Sequence, residues 1–513
     1  MTLATTLSVA LLGVDGYLVE IEADLAAGLP GITLIGLPDA TLHEARDRIR
    51  AAVLNSGQSW PSRRITIGLS PAWRPKRGSG FDLAIAAAVL CAAGVVPAER
   101  LRGVVLLGEL GLDGRVRPIT GTLPAVLAAA AAGVERVVVP TSNAREAALV
   151  PGMVVSAVDS LRMLIAELAG ETPVPAAEPS PAPSALGTGW PDVEAARCPD
   201  LGDVVGQLEA RWALEIAAAG GHHLYLHGPP GVGKTLLAER LPGLLPPLEL
   251  AAALEVTAVH SVAGTLRTDQ PLVTAAPFAA PHHTSSVASI IGGGSGLARP
   301  GAASLAHRGV LFLDEAPEFA GGCLDALRQP LESGEVVLSR SGGTVRYPAR
   351  FTLVLAANPC PCGKPEESCV CTPQARRRYG NRLSGPLLDR VDLVVPLTQP
   401  SRAELLAERA FTETTATVAA RVANARQLAT EVFAGCPWSL PSEIPGSELR
   451  GAFAPTRGSA GVLEPQLRRG SLSARGLDRT LRVAWTLALC AGRIRPEAVD
   501  VSTAVGLRLG AAA

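Results

Sequence analysis

Aromatic side chains are scarce in this 513-residue chain, at 4%, and it contains only 3 methionines. Charge is sparse as well: 18% of residues are charged, and the formal net charge is -1. A chain so balanced has no global field to draw it onto nucleic acid, so any contact with DNA must come from a local basic patch. Long apolar runs are missing too. The longest, such as residues 123–133, are rich in Ala and too short to span a bilayer. The apolar start, residues 1–12, has no Lys or Arg ahead of it and runs into an alternating segment with Glu20, Glu22 and Asp24 on one face. A signal peptide needs a positive start, so that reading is rejected, and the chain is expected to be cytoplasmic.

What the chain has in quantity is small and turn-forming residues, with 53 Gly and 42 Pro, beside 48% hydrophobic residues. That composition excludes a disordered polyelectrolyte, and the length allows two or three domains with full cores. One boundary is plain. Residues 171–190 read ETPVPAAEPSPAPSALGTGW, a semi-rigid extended linker with nothing to bury. It divides an N-terminal domain, residues 1–170, from the rest. In that domain strand-like runs (32–37, 64–69, 104–107, 136–139) alternate with helix-like runs (40–55, 82–93, 123–132), which predicts an α/β sandwich. After the linker, residues 191–400 repeat the α/β pattern, and residues 401–513 read as an all-helical lid.

The strongest motif is Gly228-Pro229-Pro230-Gly231-Val232-Gly233-Lys234-Thr235, which follows a short apolar strand and opens a helix. This is the context of a Walker A phosphate loop. Its glycines let backbone N–H groups turn inward onto phosphate oxygens, helped by the positive end of the helix. Lys234 would reach the β and γ phosphates of ATP, and the Thr235 hydroxyl would ligate Mg2+. Further on, Val310-Leu-Phe-Leu-Asp314-Glu315 predicts a buried central strand with two carboxylates at its end. Asp314 belongs on the Mg2+ shell, usually through water, and Glu315 on the attacking water as general base. A third strand ends at Asn358, which can sense the γ phosphate or cap the turn before Pro359.

Nine cysteines are present, and Cys360, Cys362, Cys369 and Cys371 crowd together. Four cysteines within twelve residues can form a tetrahedral Zn2+ site that pins a loop too short to have its own core. A reduced thiol cluster, or disulfides on a surface loop, are the alternatives. Cys91, Cys198, Cys323, Cys436 and Cys490 are scattered and read as packing.

The order of Walker A, Walker B, strand-end Asn and then Leu387-Leu-Asp-Arg390-Val-Asp392 resembles the AAA+ ATPases, within them the magnesium-chelatase and minichromosome-maintenance helicase branch. More closely, the chain resembles the ComM/YifB-type magnesium-chelatase-like proteins. The marks are Asp203-Val-Val-Gly-Gln207, Gly220-Gly-His-His223, Pro281-His-His283, Gly292-Gly-Gly294, Ser304-Leu-Ala-His307 and the Cys-Pro-Cys-Gly that begins at Cys360. Pro281-His-His283 marks the family without suggesting a chemistry. The resemblance implies an ATP-driven ring motor, hexameric and acting on DNA, with a magnesium-chelatase-type motor as the second reading. It implies that Arg390 is an arginine finger reaching a neighbouring subunit's ATP, with a salt bridge to Asp389 or Asp392 as the alternative. It also implies that Arg475, at a helix start, is a sensor on the γ phosphate. In the helicase branch a hairpin before the sensor strand grips DNA. Here residues 335–346 read as strand, turn, strand, with Arg340 and Arg346 suited to phosphate contacts.

The N-terminal domain resembles the Lon-protease fold through residues 75–83 and 107–119. Proteolysis there needs a Ser nucleophile and a Lys base. The nucleophile position falls on Gly80, beside Ser79, the base position falls on Leu123, and the second segment has no lysine. The domain is therefore expected to be proteolytically inactive.

Overall fold

The computed structural model describes residues 3–37, 39–171, 199–294, 298–340, 343–364, 368–399, 401, 412–470 and 472–510. The Pro/Ala-rich linker and the start of the expected lid, residues 402–411, therefore lie outside the described residues, except Glu171.

The N-terminal part is one seven-stranded sheet. It is built from β1 (Leu3–Leu12), β2 (Asp15–Ala26), β3 (Gly31–Ile35), β4 (Arg64–Ser70), β5 (Val104–Leu106), β6 (Arg136–Pro140) and β7 (Val154–Val158), in the order β3-β4-β2-β1-β5-β6-β7. β2 shows why the alternating pattern was readable: Val19, Ile21, Ala23 and Leu25 are buried, while Glu20, Glu22 and Asp24 face the other way. Helices cover both faces. α1 (Ala40–Asn55) and the wholly buried α2 (Asp82–Ala92) share one apolar cluster with the sheet, and α3 (Thr122–Ala131) belongs to a second.

The second sheet is all parallel. α4 (Leu208–Gly220) precedes β8 (Leu224–His227); α5 (Lys234–Leu244) and α6 (Leu250–Ala263) follow. β9 (Phe278–Ala279), β10 (Val310–Leu313), the hairpin β11 (Glu335–Arg340) and β12 (Gly343–Pro348), β13 (Thr352–Ala357) and β14 (Leu393–Pro396) complete the strands used here. The order is β9-β10-β13-β8-β14. The Val310–Leu313 strand is fully buried and internal, with the two-residue β9 on one side and β13, the middle of the five strands, on the other. The helices that follow, α7 (Thr415–Val432), α8 (Ala474–Cys490) and α9 (Ala498–Leu509), pack on this sheet through one continuous apolar cluster with α4 and α5.

One buried carboxylate ties the helical part to the sheet. Asp392, 1% exposed, accepts a 2.7 Å hydrogen bond from Arg479 on α8 and one of 2.9 Å from the His223 backbone N–H. His222 Nε2 meets Thr486 of the same helix at 2.7 Å. Burial pushes Asp392 up, but Arg479 and the two histidines outweigh it and hold the carboxyl well below the usual carboxylate range.

The two sheets also meet. The Gly121 N–H donates to the Ser261 carbonyl at 3.1 Å, and Ser261 Oγ donates to the buried Glu146. Leu12 and Val14, at the β1–β2 turn, pack with Val262, Leu338, Val345 and Tyr347 of α6 and the hairpin.

Three histidines, His260 and His307 buried and His223 half-buried, make this architecture acid-sensitive. His223 Nδ1 accepts from the Leu353 N–H, His260 is held between Thr265 and the Leu305 carbonyl, and His307 Nδ1 accepts from the Arg350 N–H. Burial depresses each to about 4. Between that value and about 6.5 the unfolded chain binds protons the folded one refuses, so their contribution is present above pH 6.5 and lost as pH falls toward 4. Asp82, pushed up to about 6 by burial against its pairing with Arg48, works in the opposite sense. At pH 5 each histidine withdraws about 2 kcal/mol and Asp82 returns about 1 kcal/mol. Denaturant unfolding at pH 7.5, 6 and 5 is expected to show stability falling by several kcal/mol; a flat profile would contradict the neutral, buried assignment.

Candidate nucleotide site

Parallel pairing brings three strand ends to one edge. β8 pairs with β13 through Leu226↔Ala356, and β10 with β13 through Leu313↔Leu355, so the residues after each strand emerge side by side. In an open parallel sheet this carboxyl edge is where ligands bind. After β8 comes the loop Gly228, Pro229, Pro230, Gly231, Val232, Gly233; after β10 come Asp314 and Glu315; after β13 comes Asn358.

Gly231 and Gly233 have φ of 78° and 98°, values that L side chains rarely adopt, and the loop runs straight into α5. Lys234, 8% exposed, donates to the carbonyls of Gly228 at 2.7 Å and Pro229 at 2.8 Å and to Asn358 Oδ1 at 3.0 Å. An ammonium has three donors, and all three are used here. A phosphate entering the loop must therefore take over at least one of them. Burial lowers the Lys234 pKa, partly countered by Asp314 and Glu315. Asn358 thus faces the phosphate loop and not only its own turn.

Thr235 Oγ1 donates to Asp314 Oδ2 at 2.7 Å. Neighbouring oxygens around an octahedral Mg2+ with bonds of about 2.1 Å stand about 3 Å apart. That spacing fits the ion, which Thr235 would ligate and Asp314 would hold directly or through water. The chemistry Mg2+ supplies is charge neutralisation on the phosphates. Glu315 sits at φ 49°, a left-handed conformation that costs a non-glycine residue about 1–3 kcal/mol and is found where a site over-determines it.

Pro281-His-His283 carries no recognisable chemistry as a sequence motif. In the structure His283 Nδ1 lies 3.2 Å from Glu315 Oε2, and the rings of His282 and His283 meet at 4.1 Å between centroids, tilted by 34°. His283 therefore holds the carboxylate that would act on water. Both flank a cavity of about 280 Å3 that is also lined by Thr235, Phe312 and Asp314. The short β9 that places these histidines beside Walker B has only two residues, too few to carry a sequence signal.

Arg390 is elsewhere. Its side chain, 10% exposed, pairs with Glu332 of the short helix Arg328–Ser333 and donates to the Pro386 carbonyl. The intrachain partner is thus Glu332, not Asp389 or Asp392, because Asp392 is taken by Arg479. Arg475 is exposed in the first turn of α8, whose N-cap Ser473 accepts from the Gly476 N–H. In the hairpin, Arg346 is 60% exposed and pairs with Glu335 at 2.5 Å. Arg340 ends β11, its backbone paired with Gly343, while its side chain lies outside the described residues. The eight described cysteines are free thiols, and Cys360, Cys362, Cys369 and Cys371 bring their sulfurs within 4.8 Å of one another. Cys198 lies outside the described residues.

In the N-terminal domain, Ser79 Oγ donates to Glu109, and Lys76 is buried with its ammonium donating to the carbonyls of Gly36 and Pro71. Leu123 is fully buried.

Three family models match in succession: Subunit ChlI of Mg-chelatase over residues 21–143, magnesium chelatase subunit ChlI over 200–405, and its C-terminal part over 412–508. An uncharacterized protein of Mycobacterium tuberculosis is 53% identical over 99% of both chains. Competence protein ComM of Haemophilus influenzae is 40% identical over 99% of this chain and 98% of its own. YifB of Escherichia coli is 40% identical over 95% of this chain and 93% of its own. The chain belongs to the ComM/YifB-type magnesium-chelatase-like family. Its fold is a Lon-protease-like α/β domain, a P-loop AAA+ core and a C-terminal helical part; a Lon protease of Mycolicibacterium smegmatis is 31% identical over 184 residues. Among the described residues no helix of this family member is long and apolar enough to cross a membrane.

The site separates holding phosphate from activating water. Lys234→Ala is expected to weaken ATP binding more than tenfold, since charge-assisted hydrogen bonds are worth about 1.5–3 kcal/mol each. Glu315→Gln is expected to keep ATP affinity and lower turnover by about 10²-fold or more. Equilibrium binding of a fluorescent ATP analogue with steady-state phosphate release checks both; parental turnover in Glu315→Gln would remove that residue from the role of base.

Proposed function

We propose that this protein is an ATP-hydrolysing ring motor acting on DNA in the cytoplasm, a helicase or branch-migration enzyme of recombination or DNA uptake. The observation that carries the ATPase reading is the convergence of Lys234, the Thr235–Asp314 pair, Glu315 and Asn358 on one sheet edge. In the cycle, Lys234 exchanges loop carbonyls for phosphate oxygens, Thr235 and Asp314 hold Mg2+, Asn358 orients the γ phosphate, and Glu315 takes a proton from water. The reading extends to DNA because the β11–β12 hairpin carries Arg340 and an exposed Arg346, and because ComM is named a competence protein. The N-terminal domain serves binding or assembly without proteolysis, consistent with Gly80 and Leu123 at the positions of nucleophile and base and with Lys76 committed to carbonyls.

Arg390 acts in trans in this scheme, so the working form is a homo-oligomer, a hexamer by family resemblance. It must exchange Glu332 for a neighbour's γ phosphate, a swap of one anion for another, while Arg475 approaches the phosphate from the lid in cis. Mixing Arg390→Ala subunits with Lys234→Ala subunits is expected to restore part of the ATPase activity that each lacks alone, because some mixed interfaces contain an intact site. Absence of rescue at every ratio, with subunit exchange confirmed, would remove the finger role.

A second reading, a motor subunit that drives metal insertion through partner subunits, is favoured by the descriptions of all three matching family models. DNA decides between the two. ATP hydrolysis measured with single-stranded, duplex and branched DNA is expected to rise with DNA. Arg340→Ala with Arg346→Ala is expected to abolish that stimulation, keep basal turnover within about twofold, and flatten the salt dependence of DNA binding by about 2 in log–log slope. A parent protein that binds no DNA at low salt with ATP present would give the second reading precedence.

A further inference from the structure

The four clustered thiols stand against the nucleotide site. Cys360, 2% exposed, lies two residues beyond Asn358 at the end of β13. Its sulfur is 3.3 Å from that of Cys362 and 3.5 Å from that of Cys369, and Cys362 and Cys369 are 3.6 Å apart. In a tetrahedral site with Zn–S bonds of about 2.3 Å, sulfurs stand about 3.8 Å apart. All four sulfurs lie within 4.8 Å of one another, which leaves space for a single ion and not for a polynuclear cluster. Soft thiolates in a tetrahedral set select zinc.

The turn that carries these thiols touches the phosphate loop. Gly363 closes it, with φ 63° and its N–H bonded to the Cys360 carbonyl at 3.2 Å. A Cβ at Gly363 would sit 3.5 Å from Pro230 Cγ and 4.0 Å from Asn358 Nδ2. The same turn therefore abuts one residue of the loop that cradles phosphate and the residue that bonds Lys234. Without a cross-link, so short a turn has no core to hold it in place.

We propose that Cys360, Cys362, Cys369 and Cys371 bind one Zn2+, and that its occupancy fixes the Cys360–Gly363 turn against Pro230 and Asn358 and thereby sets nucleotide affinity and turnover. Each of the four cysteines that is still a thiol gives up its proton to solvent as Zn2+ binds, leaving a tetrathiolate site. The turnover part rests on the ATPase reading above.

The full chain decides it. Zinc content measured by mass spectrometry is expected at one ion per chain, and Co2+ exchanged into the site is expected to give the visible bands of tetrahedral thiolate. Removing zinc with a chelator, then restoring Mg2+, is expected to lower ATP affinity or turnover at least tenfold, with recovery on adding Zn2+ alone. Cys369→Ser is expected to lose both metal and activity, whereas Cys490→Ser, a cysteine outside the cluster, keeps both. Gly363→Val perturbs the turn from outside the thiol set, because a β-branched residue rarely adopts its φ of 63°: zinc is expected to stay while affinity or turnover falls. Sub-stoichiometric zinc, or iron in its place, overturns the site. Unchanged affinity and turnover after zinc removal overturn the coupling. If the zinc-loaded parent hydrolyses no ATP, the ATPase reading fails on its own, and nucleotide affinity with and without zinc still decides the coupling.

Discussion

The parallel register of β8, β13 and β10 is the constraint on which the site depends. Lys234, Asn358 and Asp314 are far apart in sequence, and each arrives at the same edge because its strand ends in step with its neighbour. A shift of one residue would carry every side chain of the moved strand to the opposite, equally packed face of the sheet. The buried faces forbid it: Leu224, Leu226, Val310, Leu311, Phe312, Leu313 and the whole run Leu353–Ala357 are 2% exposed or less. The hydrophobic effect thus fixes register, and register places the charges. It also explains why an ammonium and two carboxylates are tolerated beside such a core: Lys234, Asp314, Glu315 and Asn358 bond with one another, the loop and His283, so no charge there is buried alone.

Much of this was legible in the sequence, and the legible part was local. The phosphate loop announces itself because glycine spacing, Lys-Thr and a helix start all lie within eight residues. Helix α1 was readable to the residue, and the alternation of β2 showed which face would be buried. What escaped is what pairing across the fold decides. His283 acquires its meaning only from a two-residue strand, and Glu332 captures Arg390 from 58 positions away in sequence. Such contacts leave no periodic trace.

The histidines illustrate the same division. Gly220-Gly-His-His223 and Ser304-Leu-Ala-His307 were visible as family marks, but three of the imidazoles in these and neighbouring segments satisfy backbone groups where loops meet strands. His223 bonds the amide of Leu353 at the head of β13, and His307 bonds the amide of Arg350 just before it. Each removes a buried donor that would otherwise be orphaned at the entrance to the central strand, a defect worth about 1–3 kcal/mol. These residues support the site from behind. His283, beside Glu315, is the imidazole that faces the chemistry.

Asp392 extends this logic from one sheet to the whole nucleotide-binding unit. Its carboxylate bonds the backbone of His223 at the foot of β8 and the guanidinium of Arg479 on α8. Arg479 lies one turn beyond Arg475, so the helix that carries the exposed arginine is anchored by the half-buried one. Asp392 is also two residues from Arg390, which leans on Glu332 in a different element. A buried pair of this kind adds little stability beyond an apolar substitute but is costly to break from one side. Its consequence is geometric: the start of the phosphate-binding strand, the helical part and the segment bearing Arg390 share one fixed point. Displacing α8 from the sheet would break that pair together with the His222–Thr486 contact farther along the helix, so the exposed Arg475 stands on a helix tied to the sheet at two points.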